Sequence, residues 1–255
     1  MSDKAYYEYN RIADRKRVDF IADVLKSSLR PNAKVLDVGC GNGVISRHLG
    51  RMGYNVLGID VSDKTIEKAR SIDPMPNVSF MKKSAEELVA SGEKYDVVIC
   101  SEVLEHLNEP GKLLKVLYAT LADNGKLVVT VPNGRGPREM LVTRPMLRIR
   151  NNKGLWKIVV KFKSMLGYKG TTVQSAADNL DHIQFFSKKD LESLSSSYNF
   201  KITRFGKSNF IEDVFPFSFF AKKIPFLQKV DCKIADMLPT SFTGGFFSVW
   251  EKHSY

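Results

Sequence analysis

Val35-Leu36-Asp37-Val38-Gly39-Cys40-Gly41-Asn42-Gly43 joins an apolar run to three alternating glycines, and Val56-Leu57-Gly58-Ile59-Asp60 ends the next apolar run on a solitary acid. The first run reads as a strand delivered into a tight turn. Glycines at 39, 41 and 43 accept backbone angles that other residues avoid, and they carry no Cβ to keep a ligand from the main chain. The turn opens a helix predicted over 43–52, whose first amides can receive an anion. A dinucleotide-binding turn of the strand–turn–helix type would have its third glycine one place later, where this chain has Val44.

Outward from this turn, short apolar runs alternate with helical stretches. Strands are predicted near 34–38, 55–60, 78–81, 95–101 and 126–131, and helices near 43–52, 62–71, 84–91 and 110–122. Asp123-Asn124-Gly125 is a turn signal before the fifth strand. Such alternation implies right-handed crossovers and a doubly wound, mostly parallel α/β sheet whose ligand lies beyond the carboxyl ends of the strands. Ile12, Val18, Ile21, Leu25 and Leu29 place an amphipathic helix over 11–29, stopped by Pro31-Asn32. After Pro132 the pattern breaks. It resumes with a helix from Ser187, a strand over Phe200–Phe205 and a terminal strand over Phe246–Glu251. A single domain is expected, with a helical segment 1–31, a core of 32–132, 182–206 and 244–255, a basic lid insertion 133–181 and an irregular aromatic excursion 207–243.

A chain of 255 residues can bury a full core. Its N-terminus lacks the apolar centre of a signal peptide, and no apolar run is long enough to span a bilayer. Three cysteines at 40, 100 and 232 have neither pairing nor metal-ligand spacing, which suits a reducing compartment and predicts a cytoplasmic protein.

Gly39-x-Gly41-x-Gly43 led by Asp37, with Asp60 at the end of the following strand, resembles motif I and its partner acid in class I S-adenosylmethionine-dependent methyltransferases. That resemblance implies a Rossmann-like seven-stranded sheet with an antiparallel last strand. It also implies cofactor contacts from Asp37, Gly39, Cys40, Gly41, Gly43, Asp60, Val61, Ser84, Ala85 and Ser101. Asp60 would accept hydrogen bonds from both ribose hydroxyls. Asp37 would organise the glycine turn or face the methionine ammonium. Ser84 stands where related proteins often carry an acid for the adenine amino group, and it reads equally as a helix cap with Glu87 three residues on. Ser101 would meet the cofactor through its backbone.

Ser101-Glu102-Val103-Leu104-Glu105-His106-Leu107 follows the fourth strand, where a methyl acceptor would meet the sulfonium. On one helical turn Glu102, Glu105 and His106 would share a side, and two converging carboxylates repel unless a proton or cation intervenes. A second histidine, His182, lies just before the core pattern resumes. Glu-x-x-Glu-His with a downstream His resembles two groups: the O-methyltransferases of ubiquinone biosynthesis and the small-RNA 3′-terminal 2′-O-methyltransferases. In both, such residues hold a divalent cation that grips two adjacent acceptor oxygens. The resemblance covers 33–131 and 182–206 and implies a site of Glu102, Glu105, His106 and His182 for Mg²⁺, Mn²⁺ or Zn²⁺. A metal-free site with His106 or His182 as general base, assisted by Glu105, and a purely structural role stay open beside it.

The formal charge of +11 is unevenly spread: between Arg135 and Lys169 ten basic residues stand against one acid, Glu139. Leu155, Ile158, Val159, Phe162 and Leu166 share one helical face there, with Lys153, Lys157 and Lys161 opposite. This segment reads as a lid on the core, as a lid touching an anionic membrane surface (the inner face, for a peripheral protein), or as a nucleic-acid contact. Together with Phe215, Phe217, Phe219, Phe220 and Phe226 it favours a small-molecule or lipid-linked acceptor, such as a prenylated ring or polyprenyl-linked sugar. RNA is the weaker alternative, because no recognisable RNA-binding module accompanies the charge. A cofactor-binding protein without catalysis is the third reading.

Overall fold

The computed structural model describes residues 8–28, 32–90, 92–145, 149, 154, 182–214, 216–221 and 223–253. Seven strands, β1 (Lys34–Val38), β2 (Asn55–Asp60), β3 (Val78–Lys82), β4 (Tyr95–Ser101), β5 (Leu121–Pro132), β6 (Phe200–Lys207) and β7 (Gly245–Lys252), form one sheet. Their order is β3-β2-β1-β4-β5-β7-β6. The first five are parallel, and β7 runs antiparallel to both β5 and β6. The doubly wound sheet with an antiparallel last strand is therefore as the sequence implied.

Both faces of the sheet are covered, which explains why its central strands are apolar throughout rather than alternating. Leu36, Val98, Leu127 and Val129 point to one face and pack with helix α5 (Pro110–Thr120) and helix α6 (Lys188–Ser197). Val35, Val97, Ile99 and Val128 point to the other, where they meet α1 (Ile12–Ser28) and α2 (Val44–Arg51). Successive residues of one strand thus serve two cores. Helix α3 (Asp63–Ser71) begins at Ser62, whose hydroxyl accepts from Thr65 N, and α6 carries a full capping box between Ser187 and Asp190.

Three expectations change. The helix predicted over 84–91 is a single turn, α4 (Glu86–Val89). The fifth strand starts earlier than the turn signal suggested: Tyr95 pairs with Leu121 and Val97 with Lys126, so Asp123-Asn124-Gly125 bulges out within β5 instead of preceding it. The excursion 207–243 is not irregular, since it folds into α7 (Phe217–Ala221), α8 (Pro225–Met237) and a short 3₁₀ turn, Thr240–Phe242. Of the basic insertion, residues 133–145 are described and include a π-helical turn, Glu139–Thr143. The amphipathic stretch over 153–166 lies outside the described residues save Gly154.

Pairing of Pro132 with Gly245 and of Lys207 with Phe246 fixes where the insertions emerge. Both 133–181 and 208–244 leave the sheet at the carboxyl edge of the parallel strands, the edge that holds the glycine turn. Asn133 ties them there: its buried amide donates to Thr243 O at 2.7 Å and Thr240 O at 3.2 Å, while Gly134 N donates to Phe186 O at 2.8 Å.

Candidate active site

The turn after β1 needs its glycines for different reasons. Gly39, Gly41 and Gly43 have φ of 69°, 53° and 76°, in the left-handed region where an L side chain is strained. A Cβ on Gly39 would come within 2.5 Å of Val103, and one on Gly43 within 2.4 Å of the Phe80 ring. One on Gly41 would meet nothing within 4 Å. Gly41 therefore presents bare backbone to an open face, while its two neighbours are packed against protein.

Around that open face the candidate residues fall into place. Gly39 N and Cys40 N both donate to Ile59 O, pinning the turn to the end of β2. Asp60 sits at that strand end. One of its oxygens accepts from Gly41 N at 3.0 Å and the other from Ser62 N at 2.9 Å, with a lone pair to spare on each. Val61 beside it is strongly exposed. Asp37 is fully buried and accepts from the Ser46 hydroxyl at 2.6 Å, so it joins the turn to α2 rather than reaching the open face. Burial lifts its carboxyl to about 6, against the Ser46 hydrogen bond and with help from Asp60. Burial also pushes the Cys40 thiol far up, which suits a turn residue and not a nucleophile.

Ser84 N donates to Glu87 at 2.6 Å, half of the capping box read from the sequence, and Ala85 is buried beneath it. The Ser101 hydroxyl bonds Thr130 Oγ1 at 2.9 Å. One residue escaped sequence reasoning altogether. Arg47 is fully buried, donates to Asn42 O at 2.6 Å and pairs with Glu8, clamping the glycine turn from behind. Nothing in a lone arginine on a short helix signals that duty.

Val103, the residue packed on Gly39, belongs to the loop that carries the second half of the site. Here one expectation fails. Glu102, Glu105 and His106 were to share a helical face, but Glu102 has φ 57° and the only helical turn is 3₁₀, Leu104–His106. Glu102 N donates to Thr130 O, and its carboxylate accepts from Thr130 Oγ1 at 2.9 Å and pairs with Arg17 at 3.4 Å. This bonding ties Glu102 to β5 and α1, close enough for its charge to act on Glu105 but not as part of the group that Glu105 forms with the histidines. Its counter-charge is an arginine from α1.

Glu105, His106 and His182 do converge. One ligand atom from each lies within 4.8 Å of the others, and among the described residues they form the one such group; Glu102 is not in it. The histidine rings stand 5.2 Å apart. His182 is delivered by the returning chain, because Ile183 N and Gln184 N donate to Glu105 O at 2.8 and 2.9 Å. Glu105 is 1% exposed and neither carboxylate oxygen has a hydrogen-bond partner. Burial first, then the charge of Glu102, push its carboxyl well above the ordinary range. An orphaned buried carboxylate beside two imidazoles fits a cation or a retained proton. The nearest contact is His106 Nε2 at 3.7 Å.

A fourth group was missed. Glu139, on the π-helical turn, is 2% exposed and lies 3.8 Å from His182 Nδ1. Burial opposes its ionisation, but His182, Thr143 and Arg138 more than offset that and hold its carboxyl below the ordinary value. The available signal was its isolation as the one acid among ten basic residues.

A family model described as a methyltransferase domain matches residues 9–204, most of the chain. The chain belongs to the methyltransferase-domain family. It is 37% identical over 113 residues to the mitochondrial ubiquinone biosynthesis O-methyltransferase of Arabidopsis thaliana, covering 42% of this chain and 35% of that protein. To the ubiquinone biosynthesis O-methyltransferase of Azorhizobium caulinodans it is 35% identical over 128 residues, 46% of this chain and 51% of that one. The chain thus spans about half or less of the length of these curated relatives. Among solved structures, magnesium protoporphyrin IX methyltransferase from Synechocystis PCC 6803, with bound SAH, superposes with a TM-score of 0.55 at 20% identity, covering 95% of this chain and 84% of that one. The methyltransferase domain of bacterial CtHen1-C gives 0.56 at 20% identity, covering 95% and 100%. These structural likenesses place this methyltransferase-family chain in the class I fold.

Proposed function

We propose that this chain binds S-adenosylmethionine across Gly39–Gly43 and Asp60 and transfers its methyl group to a hydroxyl of a small acceptor, a prenylated ring of the ubiquinone type being the best fit. Glu105 carries the reading. It is a buried carboxylate whose oxygens accept no hydrogen bond, flanked by two histidines with His106 Nε2 at 3.7 Å, on a loop that packs through Val103 against the turn that would hold the cofactor.

When bound, S-adenosylmethionine supplies a methyl on a good leaving group, so the protein's work is positioning and proton removal. Gly41 leaves room for the cofactor at the backbone. Asp60 offers its free lone pairs to the ribose diol. Ser101 and Val61 border the same edge, and Ser84 with Ala85 borders the adenine side.

Without a metal, either His106 or His182 takes the single acceptor proton. The Glu139 carboxylate next to His182 Nδ1 favours the proton on that nitrogen and leaves Nε2 basic. In the other arrangement that Glu105, His106 and His182 allow, they would hold a divalent cation (Mg²⁺, Mn²⁺ or Zn²⁺) in place of that proton, and its chemistry would be to draw adjacent acceptor oxygens together and lower the pKa of one hydroxyl. Glu102 instead joins Arg17 in shaping the wall of the acceptor cleft.

Two measurements test this. Calorimetry should show S-adenosylmethionine binding that Asp60→Ala weakens by about 1.5–3 kcal/mol; unchanged affinity in the folded variant would remove the ribose assignment. Mn²⁺ titrated into the protein should lose its free-ion electron-spin signal, and Glu105→Gln should restore it. A full free-ion signal with wild type would leave the histidines as the only acid–base groups.

A further inference from the structure

Helix α8 is amphipathic the wrong way round. Gln228, Asp231, Cys232 and Ala235, at i, i+3, i+4 and i+7, are buried, whereas Phe226, Ile234 and Met237 are 69%, 39% and 86% exposed. With half-buried Val230 they form a stripe at i, i+4, i+8 and i+11 along the outward face.

This orientation is specified, because every buried polar group on the inner face is bonded. Gln228 Oε1 accepts from Ile12 N at 2.9 Å and its amide donates to Ala221 O at 2.8 Å. The Asp231 carboxylate accepts from Phe210 N at 2.8 Å and Ile211 N at 2.9 Å. Rotating the helix to bury its apolar stripe would strand four buried polar contacts. The exposed stripe is therefore a standing cost that the fold bears, and a contiguous apolar surface of this kind marks an interaction site.

Its surroundings say what covers it. Helix α7 continues the apolar surface with exposed Phe219 and Phe220, and Lys223 lies 4.4 Å from the Phe219 ring centroid. Lys229 and Lys233 run beside the stripe and are exposed. Residues 217–242 contain four lysines and two acids. Of those acids Asp231 is bonded inward, and Asp236 pairs with Lys16 at 2.7 Å. Apolar side chains interleaved with long cationic ones, with both acids of 217–242 already bonded, fit a surface that is apolar in depth and anionic at its boundary.

We propose that the outward face of α7 and α8 docks on an anionic lipid bilayer. The segment that carries this face leaves and rejoins the sheet at the carboxyl edge of the parallel strands. This inference does not depend on which acceptor is methylated or on whether the cofactor is bound.

The test is co-sedimentation of the full chain with vesicles of phosphatidylcholine alone and with added phosphatidylglycerol, across a salt series. Wild type should bind the anionic vesicles, less so as salt rises. Phe226→Asp with Met237→Asp should weaken binding about a hundredfold or more, and Lys229→Gln with Lys233→Gln about fivefold per lysine. All four side chains are exposed, so thermal melting should be near wild type; single Phe226→Ser serves if the double variant misfolds. Three results would overturn the proposal. The first is a wild type that fails to sediment at low salt. The second is an apolar variant that binds as wild type while Lys153, Lys157 and Lys161→Gln abolishes binding. The third is a dimer in ultracentrifugation that the same apolar variant dissociates, meaning that a second copy of the chain covers the stripe.

Discussion

Gly41 and Gly43 share a left-handed backbone, yet a methyl group should do opposite things at the two. At Gly43 it would collide with the Phe80 ring, so Gly43→Ala should lower stability by about 2 kcal/mol or more through strain and overpacking. At Gly41 it enters open space, so Gly41→Ala costs about 1–2 kcal/mol of backbone strain but blocks the face where a ligand meets the main chain. Denaturant unfolding beside cofactor calorimetry separates them: Gly41→Ala should lose affinity out of proportion to stability. Asp37 makes a further prediction. Its folded value of about 6 lies above the ordinary 3.8, so the fold holds this proton more tightly than the unfolded chain does. The resulting stabilisation is complete below 3.8 and lost as pH rises through about 6, with a ceiling on the order of 3 kcal/mol. Asp37→Asn, which keeps an acceptor for Ser46, should flatten the fall of Tm across that window. An unaltered slope would show that another group titrates there.

Elements were legible wherever one residue pattern dictated one local outcome. The first four strands and α1, α2 and α3 follow from apolar runs, glycine turns and caps, each settled within about a dozen residues. Helix α8 shows why the excursion was not. Its inward residues include Gln228 and Asp231 and no large apolar side chain, so its hydrophobic period points to solvent and gives no reason to expect a packed helix. The bonds that fix it reach Ile12, Phe210, Ile211 and Ala221. Asp231→Ala would leave the half-buried amides of Phe210 and Ile211 without their acceptor and should cost about 2–4 kcal/mol in urea unfolding. A loss below about 0.5 kcal/mol would mean that water replaces the carboxylate at no cost. Glu102 is the reverse case. Its spacing was read as helical, but side-chain and main-chain bonds to β5 made the helix start two residues later.

At the scale of the whole molecule, the convergence of the proposed cofactor residues was readable because Gly39–Gly43 and Asp60 follow adjacent parallel strands, whose carboxyl ends must coincide. The acceptor half combines the loop after β4, α1 through Arg17, the π-helical turn through Glu139 and the returning chain through His182. Sequence order alone does not bring those four together. That convergence, next to a cradle that stays open at Gly41, is what carries the proposed O-methyl transfer. His182→Ala divides the halves most directly, since His182 belongs to the acceptor side alone. Transfer of labelled methyl from S-adenosylmethionine to a prenylated catechol should fall by about a hundredfold or more, while the calorimetric affinity for S-adenosylmethionine stays within about twofold of wild type. Transfer at the wild-type rate by the folded variant would contradict the account.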